Sequence, residues 1–412
     1  MGLALAAPFL LAPSVLAASA GSTEPWSTST NALPLGTTNN TSVAYNGYVY
    51  VIGGYTSGGI SGTTYYAKLN SDGTVGAWNT SPSTLPQPVA AATSVLYNGY
   101  VYVIGGRDNT NNYINTVYYA KLNSDGTVGA WSTSASTLPQ VDATATSVTY
   151  NGYVYVMGGY AGGTGGHYDL DAVYYAKLNS DGSVGAWSTS SNVLPQAAHY
   201  ATSISDNGYV YVMGGITFSG TQQDAVYYAK LNSDGSVGAW STSSNVLPQA
   251  TDGATVALND DYVYIMGGEN SSGRTSAIYY AKLNSDGTVG AWSTNANNLP
   301  QGAPGANAVA YNGYLYVLGG SYFDISTFSS IYFDSVYYTH ITPVTQTPSN
   351  NAPITTANMS TGALPAAPDT GFGMPNKDIP VVKGLMIGAT VSIATGLALL
   401  YTRSKAKTSP NL

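Results

Sequence analysis

The chain has no cysteine, and that absence excludes a disulfide scaffold, a thiolate nucleophile and zinc or iron–sulfur centres built on sulfur. Charge is scarce as well. Only 8% of residues are Asp, Glu, Lys or Arg, and Lys+Arg 12 against Asp+Glu 20 leaves a net charge of −8. A nucleic-acid binder needs the opposite sign, so no nucleic acid is expected as a partner. What the chain has instead is Gly 48, Tyr 36 and 44% hydrophobic residues over 412 positions, enough apolar material for a sizeable core.

The two ends read as addresses. Residues 1–20 are an apolar run closing on Ala18-Ser19-Ala20, the small-x-small pattern of a signal-peptide cleavage site, and Pro8 and Pro13 disfavour a buried helix there. Near the other end, Gly384–Tyr401 is a stretch without charge, long enough to cross a bilayer as one helix. Arg403, Lys405 and Lys407 follow it, so residues upstream would face outward. The expected location is the extracellular face, anchored to the cell membrane or cell wall. Residues 341–367, rich in Thr, Pro and Asn without hydrophobic periodicity, read as a stalk.

Within residues 368–412, Pro368-Asp369-Thr370-Gly371 precedes the apolar span and the basic tail. That order resembles the LPxTG sorting signal read by sortases, with Ala367 in place of the leucine. The resemblance implies a sortase as partner and cleavage between Thr370 and Gly371. A retained membrane helix is the alternative.

Between the ends lies a repeat. Gly pairs begin at Gly53, Gly105, Gly158, Gly214, Gly267 and Gly319, and Trp26, Trp78, Trp131, Trp187, Trp240 and Trp292 advance by the same steps. Each unit reads as four strands. Asn46-Gly47 suits a type I′ turn between TSVAY and YVYVI, and Gly73 suits the left-handed position of a second hairpin. Unit five carries Asp260-Asp261 at the Asn-Gly position, which predicts a less stable turn. The alternation in Tyr48-Val49-Tyr50-Val51 predicts strands with two distinct faces. Four strands per unit, a glycine pair closing the second strand, and Tyr and Trp in the following hairpin resemble kelch repeats over residues 24–340. The resemblance implies an all-β, six-bladed β-propeller. The phase of the repeats adds that the segment after Trp26 supplies the last strand of blade six, closing the ring. A monomer is expected.

The tight turns emerge on one side of such a ring and read as a solvated surface, with Lys68 and Asp72 recurring in later units. The connections after the glycine pairs, and those between blades, emerge on the other side and vary. They hold the candidate ligand-binding residues Tyr55, Arg107, Tyr160, His167, Tyr168, Asp169, His199, Asp252, Glu269, Arg274, Tyr322 and Phe323. Arg107 and Glu269 stand three blades apart, facing each other across the axis. Aromatic faces beside Asp and Asn acceptors suit a sugar. Asp169 and Asp171 have a calcium-like spacing but lack the glycine and distal Glu of a calcium loop, and neither a metal nor a cofactor is expected. No residue is assigned a catalytic role.

Three readings stay open. The first is a surface-displayed adhesion module for a glycan or protein ligand. The second is a sugar isomerase resembling the sialic-acid mutarotases, which are also kelch rings, with Arg107, Arg274 and Glu269 as clamp and acid–base groups. The third is a structural surface protein. A copper oxidase of the galactose-oxidase kind fails for want of cysteine.

Overall fold

The computed structural model describes residues 20–163 and 166–342. The proposed sorting motif, membrane helix, basic tail, nearly all of the stalk and all but the last residue of the leader fall outside them. Every regular element among the described residues is a strand, and none is a helix able to cross a membrane.

Six four-stranded antiparallel sheets form the blades. In blade one the order from the axis outward is Thr41–Tyr45, Tyr48–Ile52, Thr64–Lys68 and Asn79–Thr80. The innermost strands contact one another around the whole circle, Thr41–Tyr45 touching both Thr93–Tyr97 and Asn307–Tyr311, so the ring is closed. The last blade takes its outer strand from the N-terminus: Ser27 pairs with Tyr338 and Thr28 with Tyr337.

The turns explain the repeat's fixed residues. Asn46 and Gly47 have φ of 49° and 82°, the two left-handed residues a type I′ turn requires. In blade five only Asp260 takes a positive φ, at 51°, while the register of Asn259 opposite Tyr262 is kept. The side-chain alternation has a packing meaning. Both faces of a second strand are buried, but against different neighbours: Val49 and Val51 pack with blade six residues such as Tyr316, whereas Tyr50 and Ile52 pack with Val101 and Val103 of blade two. Each blade therefore serves two apolar interfaces, and the six mid-strand tyrosines, Tyr50 to Tyr316, are fully buried.

The N-terminal closure extends further upstream than Trp26. Gly21 has φ of 82° and lies against the Tyr262 ring, as Gly73 lies against Tyr314. Thr23 bridges to Ile341 just as Val75 bridges to Leu69. Gly21 stands five residues before Trp26 as Gly73 stands five before Trp78, so this part of the repeat was present in the sequence to be read.

Candidate functional site

The glycine pairs end each second strand, and the residue after each pair is tied back to the connection entering its blade. Tyr55 bridges to Thr38, Tyr160 to Ala143, Ile216 to His199 and Glu269 to Asp252, while Arg107 pairs with Ala90. This shows that the interblade connections and the post-glycine loops share one face.

At the inner edge of that face, the connections bring six residues with positive φ to equivalent places: Asn39, Ala91, Thr144, Tyr200, Gly253 and Gly305. Their backbones are linked head to tail, Asn39 N–H donating to Gly305 O, Ala91 to Asn39, Thr144 to Ala91, Tyr200 to Thr144 and Gly253 to Tyr200, at 2.8 to 3.2 Å. Only one member carries a large side chain. The Tyr200 ring packs with Ala91, Ala143 and Tyr113, and its hydroxyl feels Tyr55, Arg107 and Asp252 from other blades. Burial raises its pKa. Tyr200 thus lies across the loop-side end of the channel.

Above this plug an aromatic cluster spans blades two to four. Tyr160 is its centre: His167 stacks on it at 5.6 Å and 8°, Phe218 lies at 6.1 Å, and the rings of Tyr113 and His199 at 5.8 and 5.0 Å. His167 is held by a short hairpin, Tyr160–Gly163 against Gly166–Asp169. At the end of that hairpin Asp169 Oδ1 stands 2.7 Å from His199 Nδ1, both groups being largely buried. Gln140 Nε2 donates to the exposed Tyr168 hydroxyl. The Arg107 guanidinium lies 5.0 Å over Tyr113, and it opposes the burial that raises the Tyr55 phenol. The Nε of Arg107 is buried with no hydrogen-bond partner among the described residues.

Two buried carboxylates flank the cluster. Asp142 Oδ1 accepts from the Tyr160 N–H at 3.1 Å, and its other oxygen finds no partner among the described residues, so burial raises its pKa well above the usual range. Asp252 accepts from Gln222 Nε2 at 2.7 Å, and burial lifts its pKa to about 6 against the pull of that bond.

The remaining expected residues form a second group on blades five and six. Glu269 is paired across a hairpin with Arg274, the cation that opposes its burial-driven upward shift. Arg274 lies 4.2 Å over Tyr322, which packs on Phe333 at 5.7 Å. Phe323 is exposed and meets Phe328 edge-on. Arg107 and Glu269 are therefore engaged by different partners. His199 and Asp252 do occupy equivalent positions in neighbouring blades, through their bridges to Ile216 and Glu269. Tyr113, Gln140, Phe218 and Gln222 join the site without having been singled out. Tyr113 and Phe218 lie in the same variable loops as the expected residues, and that shared position was the available signal. Among the described residues no group of His, Asp and Glu is arranged to hold a metal.

Residues 146–360 match the family model described as the KLHDC2/KLHL20/DRC7 Kelch-repeats domain, and residues 88–119 match that of the Kelch motif. Among solved structures, the one titled "Structure of YjhT" superposes with a TM-score of 0.58 at 16% identity, covering 74% of this chain and 95% of that one. At that identity the likeness concerns the fold. The comparison with curated proteins gives no match.

Proposed function

This chain belongs to the KLHDC2/KLHL20/DRC7 Kelch-repeats family, and on that premise we propose that it is a surface-displayed binding module that holds a glycan on its loop-rich face. The observation that carries the reading is the stack of His167 and Phe218 on Tyr160, beside Arg107 and the Asp169–His199 pair. Flat aromatic faces receive the C–H side of a sugar ring, and the adjacent polar groups pair with hydroxyls or a sugar carboxylate.

The direction of the chain supports display. The third strand of blade six, Val336–His340, ends beside the tight turn Asn312-Gly313, where Ile341 N–H donates to Gly313 O at 2.8 Å. The described chain thus ends at Thr342 on the tight-turn face, opposite the loop-rich face. In this reading residues 1–20 direct export, and residues 368–412 fix the protein to the membrane or, after cleavage at Thr370, to the cell wall.

The test is a glycan-array screen of the full chain, followed by Tyr160→Ala and Arg107→Ala. Binding to a glycan class that both changes abolish supports the reading. No glycan binding, or binding indifferent to both, overturns it. The mass of protein released from the cell surface decides processing: a C-terminus at Thr370 supports cleavage and an intact tail refutes it.

A second reading, a sialic-acid-mutarotase-like isomerase, is favoured by the His199–Asp169 contact, since a carboxylate-oriented imidazole is a suitable proton carrier. Anomer exchange of a carboxylated sugar, accelerated by the protein and lost in His199→Ala, would distinguish it.

A further inference from the structure

We infer that the tight-turn end of the channel is a second, separate ligand site that takes a neutral sugar or comparable polyol. The inference does not depend on the loop-face reading, because Tyr200 and its backbone ring stand between the two ends.

A cavity of about 370 Å³ opens at the tight-turn end, on the surface that the sequence reads as merely solvated. Its walls are Tyr45, Tyr97 and Tyr150, the last residues of the inner strands of blades one to three, with Leu96, Asn98 and Asn151 between them. That volume lies within the range of pockets for small ligands.

The walls are held in place by the repeat itself. The Tyr45 hydroxyl sits over Gly99, that of Tyr97 over Gly152 and that of Tyr150 over Gly208, each the turn glycine of the next blade. A Cβ at Gly99 would come within 3.1 Å of the Tyr45 oxygen, so the glycines that make the turns also give the phenols their seats. The amides are oriented too: Asn98 Nδ2 donates to Ser180 O and Asn151 Nδ2 to Ser233 O, both at 3.4 Å. Each amide group thereby has its N–H₂ end engaged, which leaves its carbonyl oxygen as an acceptor.

The cavity is off the axis for a reason visible in the sequence. At the positions of Tyr45, Tyr97 and Tyr150, blade six carries Tyr311, whereas blades four and five carry Asp206 and Asn259. The aromatic wall is thus confined to one arc of the mouth.

The chemistry of the lining selects the ligand class. Three phenols, two amides, a threonine and a leucine include no charged group, so nothing in the cavity compensates an ionic ligand. Ring faces and neutral donors and acceptors match a neutral sugar, which presents both C–H and hydroxyl surfaces. The loop face, with Arg107, His167, His199 and Asp169, offers different chemistry.

The experiment uses the full chain and saturation-transfer NMR with three probes: methyl α-glucopyranoside, N-acetylglucosamine and cellobiose. Transfer to at least one is expected, reduced at least fivefold by Tyr97→Ala and by Tyr150→Ala, largely kept in Tyr97→Phe, and unchanged in Lys282→Ala, an exposed strand end on the same side of the ring but outside the cavity. Two cavity alanine variants are used so that one misfolded protein, recognised by its circular dichroism, leaves the other to decide. Absence of transfer to all three probes overturns the inference. So does transfer that survives the cavity alanine changes, including transfer abolished only by Tyr160→Ala, which would assign the sugar to the other face.

Discussion

Gly126 lies directly beneath the ring of Tyr48 on the preceding blade: a Cβ there would stand 2.4 Å from the tyrosine Cε1. The same relation recurs at Gly73 with Tyr314, Gly182 with Tyr100, Gly235 with Tyr153, Gly287 with Tyr209 and Gly21 with Tyr262. One residue type thus meets two demands, a left-handed backbone and contact with the neighbouring blade.

Gly126→Ala should therefore destabilise the ring by more than a glycine replaced where only backbone conformation matters. Gly59 is the reference, with φ of 102° and nothing within 4 Å of a Cβ. Gly59→Ala should cost about 1 kcal/mol, and Gly126→Ala about 2–4 kcal/mol once the displaced ring is added. Urea unfolding of the two variants checks the ranking, and equal losses would contradict it.

The buried Asp252 predicts a dependence of stability on pH. Its folded-state pKa is raised to about 6 from an unfolded value near 3.8. The folded chain then holds more protons than the unfolded one in that interval, so this group's contribution is present below about pH 4 and is lost as pH rises through 6. Asp252→Asn should flatten the decline by up to about 3 kcal/mol, measured as the difference between variant and parent across pH 3.5 to 7. The turn aspartates act in the opposite sense, since hydrogen bonds such as Thr74 Oγ1 to Asp72 lower their pKa, and they cancel in this difference.

Hydroxyls on the inner strands give a paired test. Thr41, Thr93 and Thr146 each bond a serine of the next blade, the last meeting Ser203 at 2.6 Å. The series stops where Val256 and Ala308 replace that serine, leaving the buried hydroxyls of Thr202 and Thr255 without a partner among the described residues. Thr146→Val should destabilise by about 1–3 kcal/mol by orphaning Ser203, while Thr202→Val should be neutral or stabilise by about 1 kcal/mol. Chemical denaturation that ranks them the other way would refute the account.

Removing residues through Thr28 should expose the edge of Val336–His340, which Ser27 and Thr28 now cover. The truncated chain should self-associate with rising concentration, as seen by light scattering, and melt below the intact chain. A truncated protein that stays monomeric with an unchanged melting temperature would show that the closing strand is dispensable.

The sequence displays this fold well because the periodic signals are local. Asn-Gly turns, glycine pairs and the phase of Trp26 against Tyr337 all lie along the chain, and the strand pairing follows from them. The site is less legible because its contacts run between blades. That Tyr200 reaches toward Tyr55, or that Tyr160 gathers His167, Phe218 and Tyr113, depends on how connections fold over the rim, and no spacing encodes it. The Tyr45, Tyr97 and Tyr150 cavity is hidden differently: each tyrosine reads as an ordinary strand end until the turn glycine of the next blade is placed beneath it. Gly21 is the exception, a closing residue readable from its offset to Trp26.

The meeting of the two chain ends has a mechanical consequence. Thr342 N–H donates to Ser22 O at 2.9 Å, and the strand leading to it is bonded on one side to Tyr314–Leu318 and on the other to Ser27–Thr28. A pull applied at Thr342 along the strand axis is carried over that strand's whole length. Its bonds to both neighbours are loaded together in shear, where peeling would break them one at a time. The seam of the ring is therefore built like a cleat, gripping hardest against a load drawn along that strand.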